Sequence, residues 1–278
     1  MSKSKCALVA LSNPLSVNFK DKISELITFL NEIFTGVVVS DFIFENVICS
    51  EKDKANELNS LLKAQEISVI FDVSGGDLAN GTLEYIDYNL IKDSNKMFFG
   101  YSDLTCVLNA VYAKAGVKTY LYQVKNVLCD NSMTRCENLS DFIYGKNSTI
   151  CDFGYDFIQE NCMQGIAVGG NIRCFSKLIG TEYMPCCEDK IVFLESYSGG
   201  LEKIYSLVFQ LKQSGAFNRC SGILLGTFTE IEKKNLKTEL FEMLKNILPN
   251  IPIAYTSEIG HSENSKCFVI GQNYLLKK

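Results

Sequence analysis

Short apolar runs rich in β-branched residues alternate along this chain with longer stretches in which apolar residues recur every three or four positions. The short runs suit strands buried on both faces and the longer stretches suit the helices that cover them. The alternation therefore predicts an α/β fold with a mainly parallel sheet. Strands are expected at Cys6 to Leu11, Gly36 to Val39, Ile67 to Val73 and Lys96 to Phe99, with helices at Lys20 to Phe34, Lys52 to Ala64, Leu83 to Ile91 and Thr105 to Ala115. A second series follows. It has strands at Gly165 to Val168, Lys190 to Leu194, Gly222 to Gly226 and Ile253 to Tyr255, and helices near Asn171 to Ile179, Gly200 to Ser214 and Lys234 to Leu248. Between the two series, Gln123 to Gln164 is polar, rich in Asn, Asp and Ser, and shows neither period.

The length of 278 residues suits two domains, since domains usually run to roughly 100–150 residues. The expected organisation is an N-terminal flavodoxin-like α/β domain over residues 1–122, a linker over 123–164, and a smaller C-terminal α/β domain over 165–278. A hydrophobic content of 47% supplies a large core. A net charge of −5 leaves no basic surplus for phosphates, which argues against a nucleic-acid partner and leaves small polar substrates open. The apolar stretch from Cys6 to Leu11 runs straight into Ser12, Asn13 and Pro14, so it reads as a strand rather than a signal peptide. No run approaches the roughly 18–20 apolar residues of a membrane span, and a cytoplasmic protein is expected. The 12 cysteines are scattered, often inside apolar runs (Cys6, Cys49, Cys106, Cys220, Cys267), as free thiols would be. Their spacing offers no metal set: Cys186 and Cys187 are adjacent, and no second histidine exists to complete a mixed site.

The one histidine, His261, lies in S-E-I-G-H-S and limits imidazole chemistry to a single position. Ser102, in G-Y-S-D-L-T, falls between the apolar strand end M-F-F and the next helix. Such a strand–turn–helix junction exposes a hydroxyl and places the N–H of Asp103 where an oxyanion would develop. Glu195 closes the run I-V-F-L-E, at the carboxyl edge of a sheet where open α/β proteins bind ligands. Taken alone, each has an ordinary explanation: Ser102 as a helix N-cap, Glu195 as a solvated strand-end acid, His261 as a surface residue on a glycine-flanked loop. The pairs Gly75-Gly76 and Gly169-Gly170 follow strands and permit close backbone approach. No G-x-G-x-x-G occurs, and G-K-N-S at Gly145 to Ser148 lacks the upstream glycine of a phosphate loop. Cys106 as the nucleophile of a glutaminase-type amidotransferase fits poorly, because it falls inside the helix after the turn.

Together, Ser102, Glu195 and His261 give a nucleophile, an acid and a base, each in a loop after a strand. The run S-G-G-D-L-A-N-G-T-L-E-Y-I-D-Y-N-L-I-K (Ser74 to Lys92) resembles the LD-carboxypeptidase family of serine peptidases, which includes the microcin C immunity peptidases. So do G-Y-S-D-L-T, V-G-G-N (Val168 to Asn171), L-I-G-T-E-Y-M-P (Leu178 to Pro185), F-L-E-S (Phe193 to Ser196) and I-G-H-S. The resemblance implies a Ser-His-Glu triad of Ser102, His261 and Glu195, with an oxyanion hole from the N–H of Asp103 and of Gly75 or Gly76. It also implies a cytoplasmic homodimer, without metal or organic cofactor, that cleaves small peptides such as murein tetrapeptides or, in other members, peptidyl-nucleotide toxins. Gly170 and Asn171 are expected to bind substrate, Asn171 through a carboxylate or amide. The aromatics Tyr144, Phe153, Tyr155 and Phe157 of the linker are expected to border the cleft. An idle relative that only binds peptides is the remaining alternative. The chain departs from the family pattern in having no tryptophan and in lacking, from Gln123 onward, the Gly-Pro that commonly follows the nucleophile helix.

Overall fold

The computed structural model describes residues 4–129 and 132–278. Its first run of elements is β1 (Lys5–Val9), α1 (Lys20–Ile33), β2 (Val37–Val39), α2 (Glu51–Lys63), β3 (Ile67–Asp72), α3 (Tyr88–Ser94), β4 (Met97–Gly100), α4 (Thr105–Ala115) and β5 (Thr119–Leu121). These five strands pair in parallel in the order β5-β4-β3-β1-β2. Consecutive apolar residues such as Cys6, Ala7 and Leu8 are all buried because both faces of the sheet are covered. Helix α1 presents Ile23, Leu26, Leu30 and Ile33 to the sheet, one stripe at helical spacing. Helix α2 starts at a capping box in which Ser50 and Asp53 satisfy each other's backbone N–H.

The second run is α5 (Ser132–Ile143), β6 (Asp156–Gln159), β7 (Cys162–Asn171), α6 (Ile172–Ser176), β8 (Lys190–Ser196), α7 (Leu201–Gln213), β9 (Gly222–Phe228), α8 (Thr229–Lys233), α9 (Lys237–Ile247), β10 (Ile253–Tyr255), β11 (Phe268–Ile270) and β12 (Asn273–Lys277). Its sheet has the order β12-β7-β8-β9-β10-β6, with a parallel centre and antiparallel edges. Strand β11 does not join it. It crosses back to the first sheet and pairs antiparallel with β5, Phe268 opposite Leu121. Buried residues of both sheets, from Ala7 to Leu276, form one continuous cluster, while a second cluster fills the far face of the first sheet. Helix α4 is the shared layer: the Asn109 side chain donates to the Gly169 carbonyl and accepts from the Gly169 N–H, both at 2.8 Å.

The α/β architecture with mostly parallel strands is as the alternation predicts. Three readings of local structure need correction. The stretch Gln123 to Gln164 is not irregular: it contains α5, β6 and the start of β7, and Tyr144, Phe153, Tyr155 and Phe157 do not face the cleft. The Tyr144 hydroxyl donates to the Ile33 carbonyl, and Phe153 packs on Tyr155, Phe268 and Tyr274. The helix expected over Leu83 to Ile91 is split, because the Asp87 carboxylate accepts from the N–H groups of Asn89 and Leu90 and starts α3 afresh as its N-cap. The helix expected from Lys234 starts only at Lys237, after Asn235 takes a left-handed turn at φ 57°. All 12 cysteines are free. Among the described residues no helix is long and apolar enough to cross a membrane, and no three His, Cys, Asp or Glu side chains gather into a possible metal site.

Candidate active site

Strand β4 ends at Gly100, and the chain turns through Tyr101 and Ser102 into a 3-10 turn, Ser102–Leu104, that runs on into α4. Ser102 sits at φ 55°, a left-handed conformation that a non-glycine residue adopts at a cost of about 1 kcal/mol or more. Such strain is the mark of a turn that holds a hydroxyl clear of its own helix. The turn is pinned from outside. The buried Asp103 carboxylate accepts from Ser12 Oγ at 2.7 Å, Ala79 N at 2.9 Å and Lys177 Nζ at 2.7 Å. Lys177 follows α6, so this ion pair ties the serine turn to the second sheet.

The other two candidates arrive on that second sheet. Glu195 stands at the end of β8 and is 0% exposed, which removes the solvated-acid explanation. His261 follows β10 in a loop held by the Gly260 N–H donating to Ser265 Oγ at 3.0 Å. The three side chains form one hydrogen-bonded chain. His261 Nδ1 is 2.7 Å from Glu195 Oε2, and His261 Nε2 is 3.2 Å from Ser102 Oγ. The imidazole lies between two aromatic rings, Tyr101 edge-on at 4.9 Å and Tyr197 at 5.0 Å. Its loop can reach this position only because residue 260 is glycine: a Cβ there would lie 1.7 Å from Thr227 Oγ1.

Asn171 and Gly170 are not placed as substrate contacts. Asn171 lies directly beside Glu195 in the β7–β8 register and donates its Nδ2–H to Glu195 Oε1 at 3.1 Å. Its Oδ1 caps α6 by accepting from Cys174 N, and its own N–H is held by Thr105 Oγ1 at 3.0 Å. At 4% exposure it orients the carboxylate from behind. Gly170, at φ 143°, is buried against Thr105, where a Cβ would come within 2.5 Å of the hydroxyl; it allows close packing rather than ligand approach. Of the two glycines after β3, Gly75 lines the Ser102 cavity, whereas Gly76 is exposed and its carbonyl accepts from Arg173 Nη2 at 2.9 Å. Cys106 is fully buried, donates to the Cys174 carbonyl, and has its thiol pushed up to about 12 by burial, which disfavours the thiolate that a nucleophile needs.

Residues the sequence reading passed over also shape the site. The Tyr101 hydroxyl is buried beside Glu195 and Ser265 without a well-formed hydrogen bond, and burial with the Glu195 charge pushes its phenol well above the usual range. Tyr101, Thr105 and the Asp103 carboxylate belong to G-Y-S-D-L-T itself, and that motif was their only signal. Ser102 and His261 face a cavity of 270 Å³ lined also by Ser74, Gly75, Gln123 and Lys125. On the other side of His261 lies an open hollow of 550 Å³ bordered by Tyr197, Thr227, Glu232 and Lys233. A larger hollow of 650 Å³ around Pro185 and Arg219 shares no residue with either and has no serine–histidine pair.

The chain matches the LD-carboxypeptidase N-terminal domain over residues 6–122 and the LD-carboxypeptidase C-terminal domain over residues 164–276. A Vibrio cholerae protein described as a carboxypeptidase is 26% identical over 244 residues, 77% of this chain and 73% of that protein. The microcin C7 self-immunity protein MccF of Escherichia coli is 24% identical over 298 residues, 90% of this chain and 84% of its own. Among solved structures, an MccF-like protein from Bacillus anthracis superposes with a TM-score of 0.83 at 24% identity, covering 100% of this chain and 94% of that one, a likeness of fold.

Proposed function

Because this chain belongs to the LD-carboxypeptidase family and is thus a peptidase, we propose that it hydrolyses amide bonds of small peptides through Ser102, His261 and Glu195. The observation that carries the proposal is the unbroken chain of hydrogen bonds Ser102 Oγ to His261 Nε2 and His261 Nδ1 to Glu195 Oε2. With Nδ1–H donated to Glu195, Nε2 keeps a lone pair for the serine proton. Ser102 Oγ attacks the scissile carbonyl, His261 takes its proton and passes it to the departing amine, and water then releases the acyl group by the same steps in reverse roles. Glu195, fixed by Asn171, holds the ring's orientation and balances the imidazolium. The developing oxyanion is received by the N–H groups of Asp103 and Gly75, aimed by the pinned serine turn. The setting this implies is a cytoplasmic homodimer that recycles peptidoglycan peptides.

A second substrate class has one observation in its favour. Tyr197 is 55% exposed beside His261 on the wall of the 550 Å³ hollow, a flat face on which a base could stack. Small peptides remain the first choice, since a single exposed tyrosine offers less stacking area than tryptophan. Labelling with a fluorophosphonate probe tests the nucleophile: the wild type should label, and Ser102→Ala and His261→Ala should each lose labelling and several orders of magnitude in kcat. Near-normal turnover in either variant would remove that residue from its role. A parallel assay of murein tetrapeptide and an aminoacyl-sulfamoyl adenylate ranks the two substrate classes.

A further inference from the structure

The 270 Å³ cavity in front of Ser102 carries one feature that the hydrolytic machinery does not use. Among the described residues that line it, Lys125 is the one Lys, Arg, Asp or Glu. Lys125 is partly buried and donates to the Val73 carbonyl at 2.8 Å. An ammonium has three donors, so this bond leaves capacity for a ligand. Burial disfavours its charge and the nearby Asp72 favours it. A cation held in a partly dry pocket gains strongly from a bound anion.

The hollow on the other side of His261 has the opposite character. Lys233 is there accompanied by Glu232 and Glu263, so that side does not favour an anion. The volume of 270 Å³ lies just below the roughly 300–1,000 Å³ of small-molecule sites and suits one end of a substrate. From the charge and the size together, we infer that Lys125 binds the free carboxylate of the residue that hydrolysis releases. The acyl part of the substrate then lies in the hollow beside Tyr197. Lys125 is thus the residue that makes this site select a free carboxyl terminus. The inference rests on Ser102 as the nucleophile.

The test compares a small peptide ending in D-alanine with its C-terminal amide, in the wild type, Lys125→Met and Lys125→Arg. The wild type should prefer the acid in kcat/KM. Lys125→Met should lower that preference about tenfold or more, the loss expected of one charge-assisted hydrogen bond, and Lys125→Arg should keep more of it than Met does. An acid-to-amide ratio that Met leaves within about twofold overturns the proposal, as does equal loss in Met and Arg. Fluorophosphonate labelling of Ser102 shows that each variant is folded. If the wild type labels but cleaves no peptide, the substrate reading of the previous section fails, and protection decides this one separately. D-alanine should then slow labelling of the wild type more than D-alaninamide does, and lose that advantage in Lys125→Met; equal protection by both compounds in the wild type overturns it.

Discussion

Substituting alanine for Gly260 should disable the site without touching any of its three reacting side chains. The new methyl would lie 1.7 Å from Thr227 Oγ1 and 2.8 Å from Thr227 Cβ, where ordinary contact begins at 3.4 Å. Turning the threonine about χ1 carries Oγ1 away, and its buried hydroxyl has no hydrogen bond to lose. Cβ cannot turn away, so the loop bearing His261 must still retreat by about 0.6 Å. The Ser102–His261 bond, at 3.2 Å, already stands at the long end of a working pair and will not survive that retreat. Since misplacement by about 1 Å costs about 10²-fold, kcat/KM should fall by about that factor, or about 2.7 kcal/mol of transition-state stabilisation. Steady-state hydrolysis and the rate of fluorophosphonate labelling should fall together. The double variant Gly260→Ala with Thr227→Gly removes all three contacts and should recover part of the loss. Activity of Gly260→Ala within threefold of wild type, with an unchanged melting temperature, would refute the reasoning.

Two further outcomes follow from buried polar groups. Asn171→Ala should lower kcat about tenfold with KM nearly unchanged, since Asn171 acts on Glu195 and not on substrate, and should cost about 1 kcal/mol of stability through the lost cap of α6; a raised KM at constant kcat would return it to substrate binding. Asp72, fully buried and holding Leu11 N–H and Ser74, is pushed up to about 6 by burial. Folded Asp72 therefore keeps a proton that the unfolded chain has released, and its contribution to stability falls as pH rises from about 4 to about 6. Carboxyl carbon NMR should place its titration near 6, and Lys125→Met should raise it further because Lys125 favours the carboxylate; a midpoint below 4 would contradict both statements.

The central strands were legible because burial on both faces leaves consecutive apolar residues, as in Ile191 to Leu194, and no rival pattern of that length. The edge strands β6 and β12 were not, since they are half exposed and mix Asp, Gln, Asn and Lys with apolar residues. Strand β11 is fully buried and still escaped notice, because its partner β5 lies some 150 residues earlier and local sequence does not encode that distance. The sequence pointed to Ser102 and Glu195 through their places at strand ends, and to His261 by scarcity. It did not reveal the bond from Asn171 to Glu195, since a polar residue in a glycine-rich loop looks the same whether its side chain faces a ligand or a neighbouring carboxylate. Gln123 and Lys125 went unnoticed because the stretch that holds them has no period, and only the fold brings it to the cavity.

The return of β11 to the first sheet also governs when the protein becomes active. Until Phe268 to Ile270 has been made, β5 is an uncovered edge with unpaired backbone groups, a template for pairing with another chain. Synthesis from Leu121 to Ile270 takes on the order of 10–30 s at ordinary elongation rates. His261 is made within the same interval, just ahead of the strand that closes the edge. A ribosome-bound fragment therefore carries the Ser102 turn without His261, and under the proposed mechanism hydrolytic competence arrives together with the sealing of the sheet. A nascent chain released before β11 would leave β5 exposed and prone to self-association.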